Sequence, residues 1–197
     1  MLYTKFENFC LPYLQSKKSL GLMVSGGLDS AVMLYGLCLL KTKHNLDVTF
    51  KIYTVPLHND SRLYAEKVVN WVNHKFNLQM EHIICGDPDL AYNATVRSGM
   101  SLAYEQNESI AIADTTTPPV KLMGLAPIRI KAQFPFQPFI EWTKQETIAL
   151  SIELGIDDLI ALTHSCTEHT TRCNMCWQCR ERIWGYAMNN HKDPGNF

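Results

Sequence analysis

The sequence predicts an α/β protein, a parallel sheet sandwiched by helices, with a cysteine knuckle near its C-terminus. Three observations carry that expectation. Short apolar runs alternate with amphipathic stretches from Tyr3 to Gly155, and strands alternating with helices imply a parallel sheet covered on both faces. The first apolar run feeds straight into Ser25-Gly26-Gly27-Leu28-Asp29-Ser30. Four of the seven cysteines gather between Cys166 and Cys179.

The elements follow in order. An amphipathic helix is expected around Tyr3 to Gln15, then a short strand from Leu20 to Val24. From Asp29 to about Leu40 nearly every residue is apolar, the pattern of a helix buried against a sheet. A second strand covers about Val48 to Val55. Ala65, Val68, Val69, Val72 and Phe76 recur at three- and four-residue spacing, which makes Ser61 to Phe76 a helix. Met80 to Ile84 reads as a third strand, before a loop at Gly86-Asp87-Pro88. Ser98 to Gln106 reads as a helix, Ile110 to Ala113 as a short strand, and Thr115 to Pro119 as a loop. Thr143-Lys144-Gln145-Glu146 is a capping box opening a helix that ends before Gly155. Residues 1–162 are expected to form the α/β domain, and residues 163–197 the knuckle and a C-terminal helix.

Composition narrows the function classes. A chain of 197 residues with 46% hydrophobic and 19% charged residues can bury a sizeable core. Its net charge of -1 gives no general attraction to polyanions, and no long Lys/Arg run supplies a local one. Direct nucleic-acid binding is therefore not expected, and a small-molecule substrate is. No run of about 18 apolar residues suggests a membrane helix. The start, Met1 to Ser16, has no basic stretch leading into an apolar one, so no signal peptide is read and a cytoplasmic location is expected. In that compartment thiols stay reduced. Cys10, Cys38 and Cys85 then read as small buried hydrophobes.

The loop Ser25–Ser30 is built for an anion. Its glycines admit positive φ and let backbone N–H groups approach a ligand closely. Ser25 and Ser30 add hydroxyls, and the following helix points its positive end at the same spot. The Walker lysine is missing. Asp29 beside phosphates would repel them unless it binds Mg²⁺ or acts on the helix N-terminus. Such a set suits a pyrophosphate leaving group with its magnesium. The plain alternative is a tight turn with Asp29 as an ordinary N-cap. At these residues the chain resembles the PP-loop superfamily of N-type ATP pyrophosphatases, whose hallmark is Ser-Gly-Gly-x-Asp-Ser. That resemblance implies ATP-dependent adenylation of an oxygen on the substrate and an adenine-nucleotide α-hydrolase-like, Rossmann-like fold.

Cys166, Cys173, Cys176 and Cys179 are spaced C-x6-C-x2-C-x2-C. Two-residue steps place sulfurs on one turn of backbone, where four thiolates close a tetrahedron around Zn²⁺. Arg172, Arg180 and Arg182 lie close enough in sequence to offset the charge of such a centre. An iron–sulfur cluster, a reactive thiol, or His164 or His169 standing in for a cysteine remain alternatives.

With both ends considered, the chain resembles the 7-cyano-7-deazaguanine synthase family. The family's Thr-Trp-Ser-Cys stands here as Thr163-His164-Ser165-Cys166. Its Cys-Gly-x-Cys-x-x-Cys-x-x-Arg stands as Cys173 to Arg182. Pro138, Thr143-Lys144 and Glu146 match its Pro, Ser/Thr-Lys pair and acidic residue. The family's Gly-Arg-Asn stretch has only Arg97-Ser98-Gly99 as counterpart, and Asp114-Thr115-Thr116-Thr117-Pro118-Pro119 replaces another of its stretches. The resemblance implies ATP, Mg²⁺ and Zn²⁺, a deazapurine acid and ammonia as substrates, and a homodimer. It gives Asp29 and Lys144 catalytic roles and the loop Ser25, Gly26, Gly27, Leu28, Asp29 and Ser30 the nucleotide. Arg97 and Asp114 would face the acceptor. For Lys144 a solvated helix-start lysine is the plain alternative, and for Asp114 a loop cap. Phe134, Phe136, Phe139 and Trp142 read as core packing rather than as a flat pocket.

Overall fold

A computed structural model of the chain describes residues 1–56, 60–86, 91–118 and 135–195. Asp87, Pro88, Pro119 and Phe134 lie outside the described residues. Eleven elements run in the order α1 (Leu2–Gln15), β1 (Ser19–Met23), α2 (Leu28–Lys43), β2 (Thr49–Thr54), α3 (Ser61–Phe76), β3 (Glu81–Ile84), α4 (Tyr92–Gln106), β4 (Ile110–Ala111), α5 (Lys144–Glu153), α6 (Asp157–Ala161) and α7 (Trp177–Met188) among the described residues.

The strands form one parallel sheet in the order β3-β2-β1-β4. Alternation along them sends Leu20, Leu22, Phe50 and Ile52 into the larger core, with α1, α2, α3 and α5. Tyr53, Val55 and Ile110 face the other side, where α4 covers them. The apolar stretch after the glycine loop is buried on nearly every side of α2, from Leu28 to Leu40. Phe136 joins the edge of the sheet by a parallel bridge to Ala111 and stacks on Tyr13, 3.9 Å between ring centres. Phe139 packs on Phe6 and Trp142, so these three aromatics are core, as the sequence indicates.

Topology fixes where a ligand sits. The chain steps outward from β1 to β2 to β3 and then jumps to β4 on the far side of β1. Such a switch point opens a crevice at the carboxyl ends of the central strands, and Val24 delivers the glycine loop there. The capping box is present: the backbone N–H of Thr143 donates to Glu146 Oε2 at 2.8 Å. It starts α5 at Lys144. Gly185 lets α7 press on that same start, since a Cβ there would lie 2.7 Å from Ile148 Cδ1 and 3.2 Å from Lys144 Cγ.

Candidate active site and metal centre

Gly26 turns the chain with φ +78, a conformation costly for any residue with a Cβ. Its carbonyl accepts the N–H of His164 at 2.9 Å, and its α-carbon abuts Ser61, Tyr64 and Ala65 at the start of α3. Gly27, not Asp29, is the N-cap of α2, and no side chain caps that helix. Its first-turn N–H groups thus remain for a ligand. Ser30 Oγ donates to the Gly27 carbonyl at 3.0 Å and lies 3.3 Å from Ser25 Oγ, and Gly27 N–H donates to Ser25 Oγ at 3.3 Å. Both hydroxyls are held at the mouth of the loop.

Asp29 stands in the first turn of α2, where Lys144 Nζ donates to its Oδ2. Lys144 is buried, so it is not a solvated lysine. The other oxygen, Asp29 Oδ1, is buried with no hydrogen-bond partner among the described residues. A buried carboxylate oxygen with no donor fits a hard cation such as Mg²⁺. Asp29, Lys144, Ser25, Gly27, Leu28 and Ser30 all line one cavity of about 420 Å³. Its apolar wall comes from Met23, Tyr53, Val55, Val96, Met100 and Ile112. This combination of a polar floor and an apolar wall suits a nucleotide.

Asp114 lines the cavity and accepts a hydrogen bond from Gln137 Nε2 at 3.2 Å. Arg97 does not line it. It is exposed midway along α4, which begins at Tyr92 rather than near Ser98, and that helix contributes Val96 and Met100 instead.

The knuckle forms the remaining wall through His164, Ser165, Cys166, Thr167 and Gln178. The sequence assigns none of these five to the nucleotide cavity and gives Cys166 to the metal alone. His164 replaces the tryptophan of the motif yet keeps a flat ring, stacked on Tyr64 with 4.5 Å between centres. Burial pushes its imidazole below the ordinary range.

The four sulfurs Cys166, Cys173, Cys176 and Cys179 lie within 4.8 Å of one another. Adjacent pairs are 3.6, 3.9 and 4.0 Å apart. A tetrahedron with Zn–S bonds of ~2.3 Å has edges of ~3.8 Å, which matches. A four-iron cluster, in which each thiolate binds a different iron, needs its sulfurs spread wider. Asn174 takes φ +57 between Cys173 and Cys176, where the motif has glycine; asparagine is among the few residues that tolerate this turn. The N–H groups of Cys176 and Met175 donate to Cys173 Sγ at 3.2 and 3.4 Å and lower its thiol to about 6, whereas burial pushes the thiols of Cys176 and Cys179 up.

The arginines are not simply spread around that centre. Arg182 is 1% exposed and grips Asp193 with two bonds, Nε to Oδ2 at 2.7 Å and Nη2 to Oδ1 at 2.8 Å. Arg172 Nη1 joins the same carboxylate at 2.8 Å. Burial pushes Asp193 up, but Arg182 and Arg172 outweigh it and hold the carboxyl below its ordinary value. Arg180 is exposed.

Residues 120–190 match the family model described as Queuosine biosynthesis protein QueC. No curated protein matches the chain. Among solved structures, NAD+ synthetase from Burkholderia pseudomallei shares 18% identity over 78% of this chain and 74% of its own, with a TM-score of 0.55. NMN synthetase from Francisella tularensis shares 14% over 97% and 84%, also at 0.55. The U34-tRNA thiolase NcsA from Methanococcus maripaludis, solved with its [4Fe-4S] cluster, shares 13% over 98% and 74%, at 0.56. At these identities the structures establish the shared fold, that of the adenine-nucleotide α-hydrolases. The segment that supplies Lys144 and the cysteines thus resembles QueC, and it is set on the fold that these structures share.

Proposed function

We propose that the chain is an ATP-dependent C–N ligase that converts 7-carboxy-7-deazaguanine and ammonia to 7-cyano-7-deazaguanine, releasing AMP and pyrophosphate. The observation that carries this reading is the meeting of Lys144 and Asp29 inside a cavity bounded by both the glycine loop and the knuckle. A carboxylate oxygen of the acid attacks the α-phosphorus of ATP, and the bond to the β-phosphoryl oxygen breaks. Pyrophosphate leaves onto the N–H groups and hydroxyls of Ser25–Ser30, with Lys144 as the nearby cation. Asp29 would hold Mg²⁺ through its unpartnered Oδ1, and the ion would supply positive charge for the departing pyrophosphate. Ammonia then adds to the acyl carbon and AMP departs, leaving the amide after proton loss. A second adenylation on the amide oxygen permits loss of AMP and a proton to give the nitrile. No side chain acts as nucleophile. Binding and charge placement supply the rate.

Asp114 is read as the acceptor's hydrogen-bond partner, oriented by Gln137. Arg97 is exposed on α4 outside the cavity lining, and no contact with the acceptor is assigned to it. The cysteine set is read as a structural zinc site: all four positions are thiolates and none is left for substrate. The test is a reaction with ATP, magnesium, the acid and ammonium, followed by mass. Acid-dependent pyrophosphate with nitrile supports the reading. Amide alone moves the end point to amide formation, and ATP binding with no pyrophosphate points to a different acceptor or an inactive nucleotide-binding module.

A further inference from the structure

We propose that Asp193, far along the C-terminal tail, is a positioning residue for the phosphate loop, acting through Arg182. The contacts are continuous. Asp193 holds Arg182 with two bonds and Arg172 with one. Arg182 Nη1 donates to Thr163 Oγ1 at 2.7 Å and to Ser165 Oγ at 3.2 Å, and its Nη2 to the Ile160 carbonyl at 3.4 Å. Arg172 Nη2 donates to the Thr163 carbonyl at 3.3 Å. Between those anchored residues, His164 N–H donates to the Gly26 carbonyl at 2.9 Å. Gly26 is the positive-φ residue of the loop, so its carbonyl direction sets where the neighbouring N–H groups point.

The arrangement is stiff for a physical reason. A buried guanidinium must keep every donor occupied, since an orphaned one costs several times what a satisfied bond returns. Arg182 can move only with Asp193, and Thr163 and Ser165 move only with Arg182. Gly195 tightens the tail, donating to Asp193 Oδ1 at 3.0 Å. Removing the Asp193 charge frees Arg182 to seek other acceptors, and the Thr163–Cys166 segment is no longer pinned beside Gly26. That this loop holds nucleotide phosphate rests on the function proposed above; that Asp193 orders the loop does not.

The test is Asp193→Asn in the full chain. Hydrogen–deuterium exchange over Met23–Ser30, measured without nucleotide, is expected to quicken on the order of tenfold, with ATP·Mg²⁺ binding by calorimetry weakened on the same order. Metal content should stay as in the unmodified chain. Asp157→Asn is the control. It releases another tie of the tail, the 3.1 Å contact between His191 and Asp157, and is expected to change neither readout. Folded Asp193→Asn with unaltered loop exchange overturns the proposal. So does an equal effect from Asp157→Asn, or loss of the metal alongside the loop change. If Asp193→Asn does not fold, Asp193→Glu keeps the charge while shifting it, and the same exchange result decides. A protein that meets the exchange expectation yet binds no ATP refutes the function and leaves the positioning role standing.

Discussion

Replacing Gly26 by alanine separates two costs that a second glycine isolates. Gly26 and Gly155 both have positive φ, +78 and +63. A left-handed conformation costs a residue with a Cβ ~1–2 kcal/mol. At Gly155 nothing lies within 4 Å of the added carbon, so that cost is the whole effect. At Gly26 the added carbon falls 2.6 Å from Ala65 N, 2.8 Å from Tyr64 Cβ and 2.9 Å from the Ser61 carbonyl. Two of those three are backbone, so α3 or the loop must shift, adding about 1–3 kcal/mol of overpacking. Gly26→Ala should therefore lose ~2–5 kcal/mol against ~1–2 for Gly155→Ala. For a chain of this size each kcal/mol moves the melting temperature by about 2–4 °C. Denaturant unfolding gives both values, and ATP binding should weaken only in Gly26→Ala. Equal losses at the two sites would refute the contact between loop and α3.

Three further outcomes follow from the same geometry. Lys144→Met should lower pyrophosphate release by roughly 10²–10³, the cost of losing a charged donor at a developing anion; a change below threefold in steady-state rate would remove Lys144 from the chemistry. Cys166→Ala should cut zinc per chain, measured by elemental analysis, and lower the melting temperature, because metal binding in such a site is folding energy; full zinc retention contradicts a four-thiolate centre. Burial holds His82 below its ordinary 6.5, and its Nε2 lies 2.9 Å from Thr54 Oγ1, which donates to the Val24 carbonyl just before the loop. A lowered folded value means the unfolded chain takes the proton first. The stability that neutral His82 contributes is therefore complete above about 6.5 and declines as pH falls through the lowered value. Urea midpoints compared between the natural chain and His82→Gln should converge on acidification. Parallel curves would show that His82 carries no such linkage.

Much of this was legible because it rests on local pattern. The helix over Ser61–Phe76 follows from its apolar spacing, the start of α5 from the capping box, and the buried α2 from its near-continuous apolar run. The loop and the four cysteines carry their chemistry in a few adjacent residues. What stayed hidden is long-range or depends on satisfied charge. Nothing local pairs Lys144 with Asp29 across 115 residues. The sequence places Arg182 beside the cysteines only as a nearby charge, and only the fold shows that it can be buried because Asp193 comes to meet it. The start of α4 was obscured because Asn93, Thr95 and Gly99 are weak helix formers, held there by packing on the sheet. The helix therefore runs through Arg97-Ser98-Gly99, the stretch that the resemblance sets against the acceptor. His164 gave no sign of its ring stack, since Tyr64 lies on another element.

The central claim is that this cavity activates a carboxylate by adenylation. We would supply 7-carboxy-7-deazaguanine labelled with ¹⁸O in the carboxylate, with ATP, magnesium and ammonium, and weigh the nucleotide product. Adenylation of the carboxylate, and then of the amide oxygen, predicts AMP that carries ¹⁸O from the substrate. Unlabelled AMP, or ADP in its place, would contradict it.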